Sequence, residues 1–358
     1  MRVSPSHRDT GRTTVRALFT LAVSALALWF LFRILTDVGL DRLGSRLAGA
    51  HRGLVAAALA ITVIRFALLG ARWEILVRRE APAGLAQILR VLMAGNFLSL
   101  VTPALRVAGP ILRAWYLSKE TGKPRARFYG TIVADQASNF TVYALAAALT
   151  GGMVALPAHL RISPAIGAAM VVALVLGLWA VSLVLRRVHE AKSSASLELF
   201  TRALGSNSQE GWRGRLIRWV DHLVRSLSAS VVGSGAWWPS LLLSGAIFVA
   251  VAAVQMIAFA AIGAPISFIA ASFAVAGAGF VQVMAASPGG AGVTEISLIA
   301  VLLAIGIDQE SAAAGVLLAR FANYAVLLPW GGWTFFRLER RYGLPSAPSE
   351  PQPEDAAA

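Results

Sequence analysis

Residues 266–306 read ISFIAASFAVAGAGFVQVMAASPGGAGVTEISLIAVLLAIG, two apolar segments separated by Ser287-Pro-Gly-Gly-Ala-Gly292. Glu295 is the only charged residue in this stretch. Proline interrupts helices, and glycine permits backbone conformations that other residues avoid. An apolar helix that is broken in its middle is a sequence sign of a transport site in a membrane protein. The stretch therefore predicts either two full spans or a membrane-embedded hairpin.

The rest of the chain has the same membrane character. Hydrophobic residues make up 57% of the 358 residues and charged residues only 14%, whereas a soluble domain has about 25% charged residues. Segments long enough to cross a bilayer core of about 30 Å recur along the sequence. These features predict an all-α, polytopic membrane bundle and exclude a soluble enzyme. The apolar segments are 17–35, 54–71, 88–105, 129–156, 164–185, 237–262, 266–286, 293–306 and 312–336.

The composition is strongly basic, with 32 Lys and Arg against 18 Asp and Glu and a formal charge of +14. The arginines cluster between the apolar segments, which is the pattern of cytoplasmic loops under the positive-inside rule. We therefore expect the basic residues to orient the chain in the membrane, and we expect no nucleic-acid partner. The sequence has no cysteine, and its five histidines lack metal-ligand spacing. We expect neither a metal site nor a cofactor.

The charge pattern also predicts the domain organisation. Residues 1–16 contain four arginines and are placed in the cytoplasm, before a flippase-like transmembrane domain at 17–340. Within it, the basic and Trp-rich insert 186–236 is expected to form amphipathic helix on the cytoplasmic surface. The Pro- and acid-rich tail 341–358 is expected to be disordered. The outer loop 36–53 carries three arginines, which goes against the positive-inside rule.

A re-entrant hairpin is predicted in the first half of the chain. If 88–105 crossed the membrane fully, residues 106–127, with six basic residues and one acid, would lie outside. A hairpin that enters from the cytoplasm and is broken at Thr102-Pro103 and Gly109-Pro110 avoids this conflict.

The second half mirrors the first, which predicts an inverted repeat. Span, hairpin and span in 54–156 are followed by span, interrupted segment and span of opposite orientation in 237–336. The 14 residues of 293–306 form about 21 Å of helix, which is short for a full span. The predicted architecture is therefore about six full spans and two broken hairpins. Interrupted segments at matching places in two halves indicate a transport site.

Ionisable side chains inside the apolar segments are candidates for function. Each charge at a helix centre costs about 2.5–3.5 kcal/mol, so it requires a partner or an aqueous cavity. Arg72 and Arg90 lie near segment ends, where a long side chain can reach the interface. The candidates at membrane depth are Arg65, Arg113, Asp135, Glu295 and Arg320.

The sequence offers several partners for each of the two acids. Glu295 is either an acid favoured by the helix dipole, a partner of Arg113 or Arg320, or a protonatable gate. Asp135 can pair with Arg127 or Arg106 near the inner face. The amides of Asn96, Asn139, Gln255, Gln282 and Asn323 are mostly expected to join helices to one another.

The two breaks predict an anion-binding site. Helices that restart at Gly109-Pro110 and after Gly292 present unpaired N–H groups and a positive dipole end. Two such ends that meet near the midplane suit a phosphate or carboxylate; the alternative is an ordinary interfacial loop. Asp135 and Arg65 are assigned as an ion pair or gate. The predicted substrate-binding residues are Asn96, Gly109, Arg113, Ser287, Gly289, Gly290, Gly292, Glu295 and Arg320.

Four motifs stand out in the sequence: Arg72-Trp73-Glu-Ile-Leu, Asn96-Phe-Leu with Pro103, Gly109 and Arg113, Ser287-Pro-Gly-Gly-Ala-Gly-Val-Thr-Glu295, and Arg320-Phe-Ala-Asn-Tyr324. Together, over residues 17–340, they resemble the transmembrane domain of lysylphosphatidylglycerol synthases. This is the flippase-like half of the multiple peptide resistance factor, which also occurs alone. The resemblance implies movement of aminoacylated phosphatidylglycerol between leaflets, and we expect the separate soluble synthase domain to be absent from this chain.

The sequence thus predicts a lipid translocase for an anionic or phosphate-bearing lipid, without transferase activity. The alternatives are a non-transporting scaffold and a membrane transferase acting on a polyprenyl-phosphate or phospholipid substrate, for which Asp37 and Asp41 are the supporting residues. We expect a membrane phospholipid or other anionic lipid as partner, and a homo-oligomer or a separate lipid-modifying enzyme as protein partners. The expected location is the cell membrane, multi-pass, with both termini cytoplasmic.

Overall fold

The described residues fold into helices alone. The structure is a computed structural model, and it describes residues 39–78, 80–102, 108–154, 236–284 and 292–344, together with positions 29, 32, 33 and 36. The all-α class predicted from the sequence is confirmed for these ranges. In chain order the helices are α1 (Leu40–Ala48), α2 (Arg52–Val77), α3 (Leu85–Val101), α4 (Ala108–Thr121), α5 (Arg125–Gly151), α6 (Trp237–Ala261), α7 (Phe268–Met284), α8 (Val293–Ala304) and α9 (Gln309–Tyr342).

Helix length separates two groups. Among the described helices, α2, α6 and α9 are long and apolar enough to cross a membrane. Helix α5 has 27 residues, but Asp135, Gln136 and Asn139 lower its mean hydropathy. Helices α3, α4, α7 and α8 have only 17, 14, 17 and 12 residues. They extend about 18–26 Å and are shorter than a bilayer core of about 30 Å.

The predicted interruptions are confirmed at both places. Helix α3 ends at Val101 and α4 begins at Ala108, so that Gly109 and Pro110 lie in its first turn. Gly292 precedes α8 with a φ of 81°, a left-handed value that glycine adopts without a steric penalty.

Several predictions lie outside the described residues. They are the N-terminal segment 1–16, nearly all of the first span 17–35, the span 164–185, the insert 186–236 apart from Ala236, the tail beyond residue 344, and Ser287, Gly289 and Gly290.

The helices meet at two ends of the bundle. At one end, which we call the α1 end, α1 lies beside the starts of α2 and α9 and the end of α6. The backbone N–H of His51 donates to the Ala261 carbonyl oxygen at 2.9 Å, and Arg46 pairs with Glu310 at 2.7 Å.

The opposite end, which we call the basic end, holds the starts of α3, α5 and α6 and the ends of α2, α4 and α9. Arg90 of α3 pairs with Glu120 of α4 at 3.8 Å, and the rings of Tyr116 and Tyr342 lie 6.5 Å apart. Exposed cations concentrate here: Arg78, Lys119, Lys123, Arg125, Arg127, Arg337, Arg340 and Arg341.

Two helical hairpins enter from opposite ends. Helices α3 and α4 are antiparallel, because Asn96 contacts Arg113 while Arg90 contacts Glu120, and this hairpin begins and ends at the basic end. Helices α7 and α8 pack against each other and connect the end of α6 to the start of α9. Their hairpin therefore begins and ends at the α1 end.

Packing partners in α2–α5 recur in α6–α9. Within each group the first helix contacts the second and fourth, and the third contacts the second and fourth. Between the groups, α2 packs on α6, α3 packs on α9, and α7 packs on α5 in the corresponding way. Each hairpin is surrounded by its own apolar cluster, one around Trp73 and Tyr116 and the other around Phe259 and Ile299.

Candidate functional site

Two groups of buried and half-buried polar side chains lie between the hairpins and the long helices. We call the first the Asp135 cluster, which comprises Arg72, Asn96, Arg113, Asp135, Asn139 and Ser244. We call the second the Glu295 cluster, which comprises Arg65, Glu295, Arg320, Asn323 and Tyr324.

Arg72 of α2 neutralises Asp135 of α5 in the first cluster. Arg72 Nε lies 2.7 Å from Asp135 Oδ1, and both side chains are at most 3% exposed. Arg72 Nη1 also donates to Asn139 Oδ1 at 3.2 Å and to Ser244 Oγ at 2.9 Å. This guanidinium thereby joins α2, α5 and α6 through hydrogen bonds that compensate for its burial.

Arg113 of α4 is the second guanidinium of the Asp135 cluster, and it is held more loosely. Its Nη1 lies 3.9 Å from Asp135 Oδ2, beyond the usual range of a hydrogen bond. Its Nη2 donates to Asn96 Oδ1 of α3, and its Cζ lies 5.7 Å from the centre of the Trp73 ring. Its Nε has no hydrogen-bond partner among the described residues. With two guanidinium groups and one carboxylate, the cluster has a formal surplus of one positive charge.

Glycines at the crossing of α3 and α4 position Arg113 beside Asn96. A Cβ at Gly109 would lie 2.5 Å from the Gly95 carbonyl oxygen, and one at Gly95 would lie 2.7 Å from Arg113 Cγ. Any side chain at either position would therefore separate the two helices. The predicted site residue Gly109 thus acts through close packing of the hairpin.

Two sequence interpretations are corrected by the Asp135 cluster. Arg72 does not reach the interface, because α2 continues beyond the apolar segment to Val77 and buries the residue inside its last turns.

The partners of Asp135 are Arg72 and Arg113. Arg127, which the sequence suggested, is exposed and lies about 12 Å closer to the start of α5. Arg106 lies outside the described residues.

Glu295 and Arg320 form the ion pair of the second cluster. Glu295 lies in the first turn of α8 and is 4% exposed. Its Oε1 is 2.9 Å from Arg320 Nε of α9 and accepts a hydrogen bond from the Tyr324 hydroxyl at 3.4 Å. Of the partners considered for Glu295, the structure therefore contains Arg320. Glu295 Oε2 and the Thr294 hydroxyl have no hydrogen-bond partner among the described residues.

Arg65 supplies the second guanidinium of the Glu295 cluster. Its Nη2 donates to Asn323 Oδ1, and its Cζ lies 4.5 Å from the centre of the Phe66 ring. Within the described part of the chain, Arg65 forms no ion pair with a carboxylate. This cluster also contains two guanidinium groups and one carboxylate.

The structure therefore distributes the predicted site residues over two clusters. Arg113 and Glu295 belong to different ion pairs, each joining the second helix of a hairpin to the long helix that follows it. The half-buried amides of Asn96, Asn139 and Asn323 bind guanidinium groups of other helices. The amide nitrogen of buried Gln255 has no hydrogen-bond partner among the described residues.

Sequence reasoning missed Arg72, Asn139 and Ser244 as members of a site. A signal for Arg72 exists, because Arg65-Phe66 and Arg72-Trp73 are arginine–aromatic pairs seven residues apart in one helix. Residues at this spacing lie on one face of a helix. Asp135 and Asn139 are four residues apart and likewise share a face.

An apolar groove at the α1 end is separate from both clusters. Its volume is about 470 Å³, and it lies between α1, α2 and α9. Apart from Arg52 its lining consists of apolar residues, among them Leu47, Val55, Leu317 and Phe321.

Comparisons with known proteins identify a family for most of the chain and a relative for part of it. Residues 17–331 match the family model described as the lysylphosphatidylglycerol synthase TM region. A UPF0104 membrane protein of Methanocaldococcus jannaschii is 25% identical over 115 residues, which are 32% of this chain and 34% of that protein. The match thus spans about a third of the curated relative's length. The family resemblance inferred from the four motifs is confirmed by the match to the family model.

Proposed function

The chain belongs to the family of lysylphosphatidylglycerol synthase transmembrane regions, and from this premise we propose that it is a translocase for an anionic or phosphate-bearing membrane lipid. The multi-pass membrane character of this family agrees with the long apolar helices. The proposal assigns the substrate phosphate to the space between the two hairpins.

Arg113 is the observation that carries this proposal. Its side chain is 9% exposed, while Asp135 is already neutralised by Arg72 at 2.7 Å. A guanidinium at membrane depth without a carboxylate of its own is costly, and a phosphate oxygen would relieve this cost. Its unpartnered Nε is a free donor for such an oxygen.

The helix arrangement supports alternating access. Hairpins that enter from opposite ends and recurring packing partners are features of inverted-repeat transporters. We propose that α2–α5 and α6–α9 form the two repeats, within about six full spans and two re-entrant hairpins. The concentration of exposed cations supports a cytoplasmic location for the basic end, in the cell membrane.

The test is lipid movement in reconstituted vesicles. Purified protein is inserted into phosphatidylcholine vesicles that carry a trace of fluorophore-labelled phosphatidylglycerol, and an impermeant quencher reports transfer between leaflets. We expect the parent to accelerate transfer, and Arg113→Gln to slow it about tenfold or more, because a charge-assisted hydrogen bond is lost.

Arg78→Gln is the matched control for this test. It removes the same charge from an exposed position, where Arg78 is ion-paired among the described residues with Glu74 of the preceding helical turn, and we expect parental rates. The proposal is contradicted if folded parent protein moves neither phosphatidylglycerol nor another phosphate-bearing lipid faster than protein-free vesicles.

A further inference from the structure

The two clusters repeat one arrangement along α2. In each, the acid has one arginine at close range: Asp135 Oδ1 lies 2.7 Å from Arg72 Nε, and Glu295 Oε1 lies 2.9 Å from Arg320 Nε. In each, the remaining arginine is instead held by an asparagine amide oxygen and lies over an aromatic ring of α2. These contacts are Arg113 with Asn96 and Trp73, and Arg65 with Asn323 and Phe66.

The asparagine contact makes both of these arginines available to an anion. A neutral amide oxygen satisfies one N–H group but does not neutralise the guanidinium charge. An arriving phosphate can therefore replace the amide and gain a charge-assisted, bidentate interaction. The Asp135–Arg72 and Glu295–Arg320 pairs need not break for this exchange.

The two clusters lie at different depths along the axis of α2. Arg65-Phe66 and Arg72-Trp73 lie seven residues apart on α2, which is about 10 Å along the helix. Arg65 lies halfway along α2, and Arg72 lies five residues from its end at the basic end. Asn139 and Tyr143 continue the same face of α5 from Asp135, so polar side chains connect the two depths.

We propose that the chain holds two successive binding stations for a lipid phosphate, one at Arg113 and one at Arg65, between which the headgroup steps during translocation. The proposal rests on the translocase function proposed above and adds the path that the lipid headgroup takes through the protein. Each cluster has a formal surplus of one positive charge, which a phosphodiester with a single negative charge neutralises. The structure thereby favours a monoanionic phosphodiester over a diphosphate lipid.

Changing the two asparagines to aspartate tests the stations without removing side-chain volume from the helix contacts. Asn96→Asp and Asn323→Asp each place a fixed carboxylate beside the guanidinium that the asparagine binds, and keep the shape of the side chain. If the arginines serve only to join helices, the new ion pairs should preserve both stability and transport. If they are stations, each variant should remain folded, with unchanged or higher thermal stability, yet lose phosphatidylglycerol translocation about tenfold or more.

Gln87→Glu is the matched control, because it adds the same negative charge at the start of α3 outside both clusters; we expect parental transport. Arg65→Gln and Arg65→Lys give a second measure of the station at Arg65. Transport should fall with glutamine and recover in part with lysine, which keeps the charge but not the bidentate geometry.

Three results would overturn the proposal. If Asn323→Asp and Arg65→Gln both translocate at the parental rate while the Asn96→Asp variant does not, there is one station, and the translocase function itself stands. If a labelled polyprenyl diphosphate moves as fast as phosphatidylglycerol, the charge match is wrong. If the folded parent moves no lipid, the proposed function fails, and the stations fail with it.

Discussion

At the scale of single residues, buried ion pairs are expected to contribute more to the stability of this protein than ion pairs at its surface. Asp135 faces two guanidinium groups and is 2% exposed, whereas the Glu74–Arg78 pair lies at the end of α2 with Arg78 66% exposed. Removing one member of a buried pair leaves an uncompensated charge in a medium of low dielectric constant. An exposed pair contributes about 0–1 kcal/mol because water and salt screen it.

We expect Asp135→Asn to destabilise the protein most among these charge substitutions, by about 3–5 kcal/mol. Without the carboxylate, Arg72 and Arg113 repel each other across the same space. Arg72→Gln should cost less, because Arg113 at 3.9 Å can move towards Asp135 and take over the pairing. Thermal unfolding in detergent measures the order of these variants.

Glu74→Gln is the control for that series, since its i,i+4 partner Arg78 is 66% exposed and remains solvated when the acid is removed, and we expect little change in the unfolding temperature. Equal unfolding temperatures for the parent, Asp135→Asn and Arg72→Gln proteins would mean that the cluster contributes nothing to stability.

Close helix contact determines the geometry of the first hairpin. We expect Gly109→Ala to destabilise the protein by about 1–3 kcal/mol, because the new methyl group would lie 2.5 Å from the rigid Gly95 carbonyl oxygen. The separation of α3 and α4 should also pull Arg113 away from Asn96 and reduce lipid translocation. Unfolding temperature and vesicle transport measure the two effects.

Gly245→Ala tests whether helical glycines in general tolerate a methyl group. A Cβ at this position of α6 meets no atom within 4 Å, so we expect unchanged or slightly higher stability. If both alanine variants behave alike, the crossing at Gly95 and Gly109 is not a tight contact.

The start of α9 depends on a capping carboxylate at the α1 end. Asp308 accepts a hydrogen bond from the backbone N–H of Ser311 at 2.8 Å, and this bond lowers the pKa of Asp308 below its usual value. A group with a lowered pKa stabilises the fold fully above its unfolded pKa of about 3.9, and this contribution is lost as the pH falls through the folded value.

We expect Asp308→Ala to cost about 1 kcal/mol at neutral pH and Asp308→Asn to cost less, because asparagine also caps helices. The difference in stability between the parent and Asp308→Asn should disappear as the pH falls below about 4. Thermal unfolding over a pH series measures it. A difference that persists unchanged at the lowest pH would mean that the charge of Asp308 is not its cause.

At the scale of the whole molecule, the positions of the helices were predictable from the sequence, but which helices pack against each other was not. Apolar segment lengths and the Gly/Pro breaks are local signals, so the end of α3 at Val101 and the start of α8 at Val293 followed from them. The Arg72–Asp135 pair joins residues 63 positions apart, on helices separated by a hairpin. Pairing at that distance depends on which helices pack together, and neither residue alone carries that information.

Charge asymmetry between the two ends leads to the topology prediction. In the described residues the α1 end carries as many acids as arginines, namely Asp41, Asp308 and Glu310 with Arg42, Arg46 and Arg52. Arg46 is also paired with Glu310 at 2.7 Å. The three arginines that seemed to oppose the positive-inside rule are thus balanced, whereas the basic end keeps a large excess of cations.

We therefore expect the basic end to face the cytoplasm and the α1 end to face outside. Because the chain has no native cysteine, the exposed positions 44, 123 and 340 can each be changed to a single cysteine in turn. Gly44→Cys should react with an impermeant thiol reagent in intact cells, and Lys123→Cys and Arg340→Cys should react only after permeabilisation. Position 123 follows the end of the first hairpin, and position 340 lies near the end of α9. The structure places both at the basic end, so labelling of both from the same side is expected if the first hairpin returns to that end. Labelling of position 123 from outside, with position 340 protected, would place the two on opposite faces of the membrane and rule out a re-entrant first hairpin.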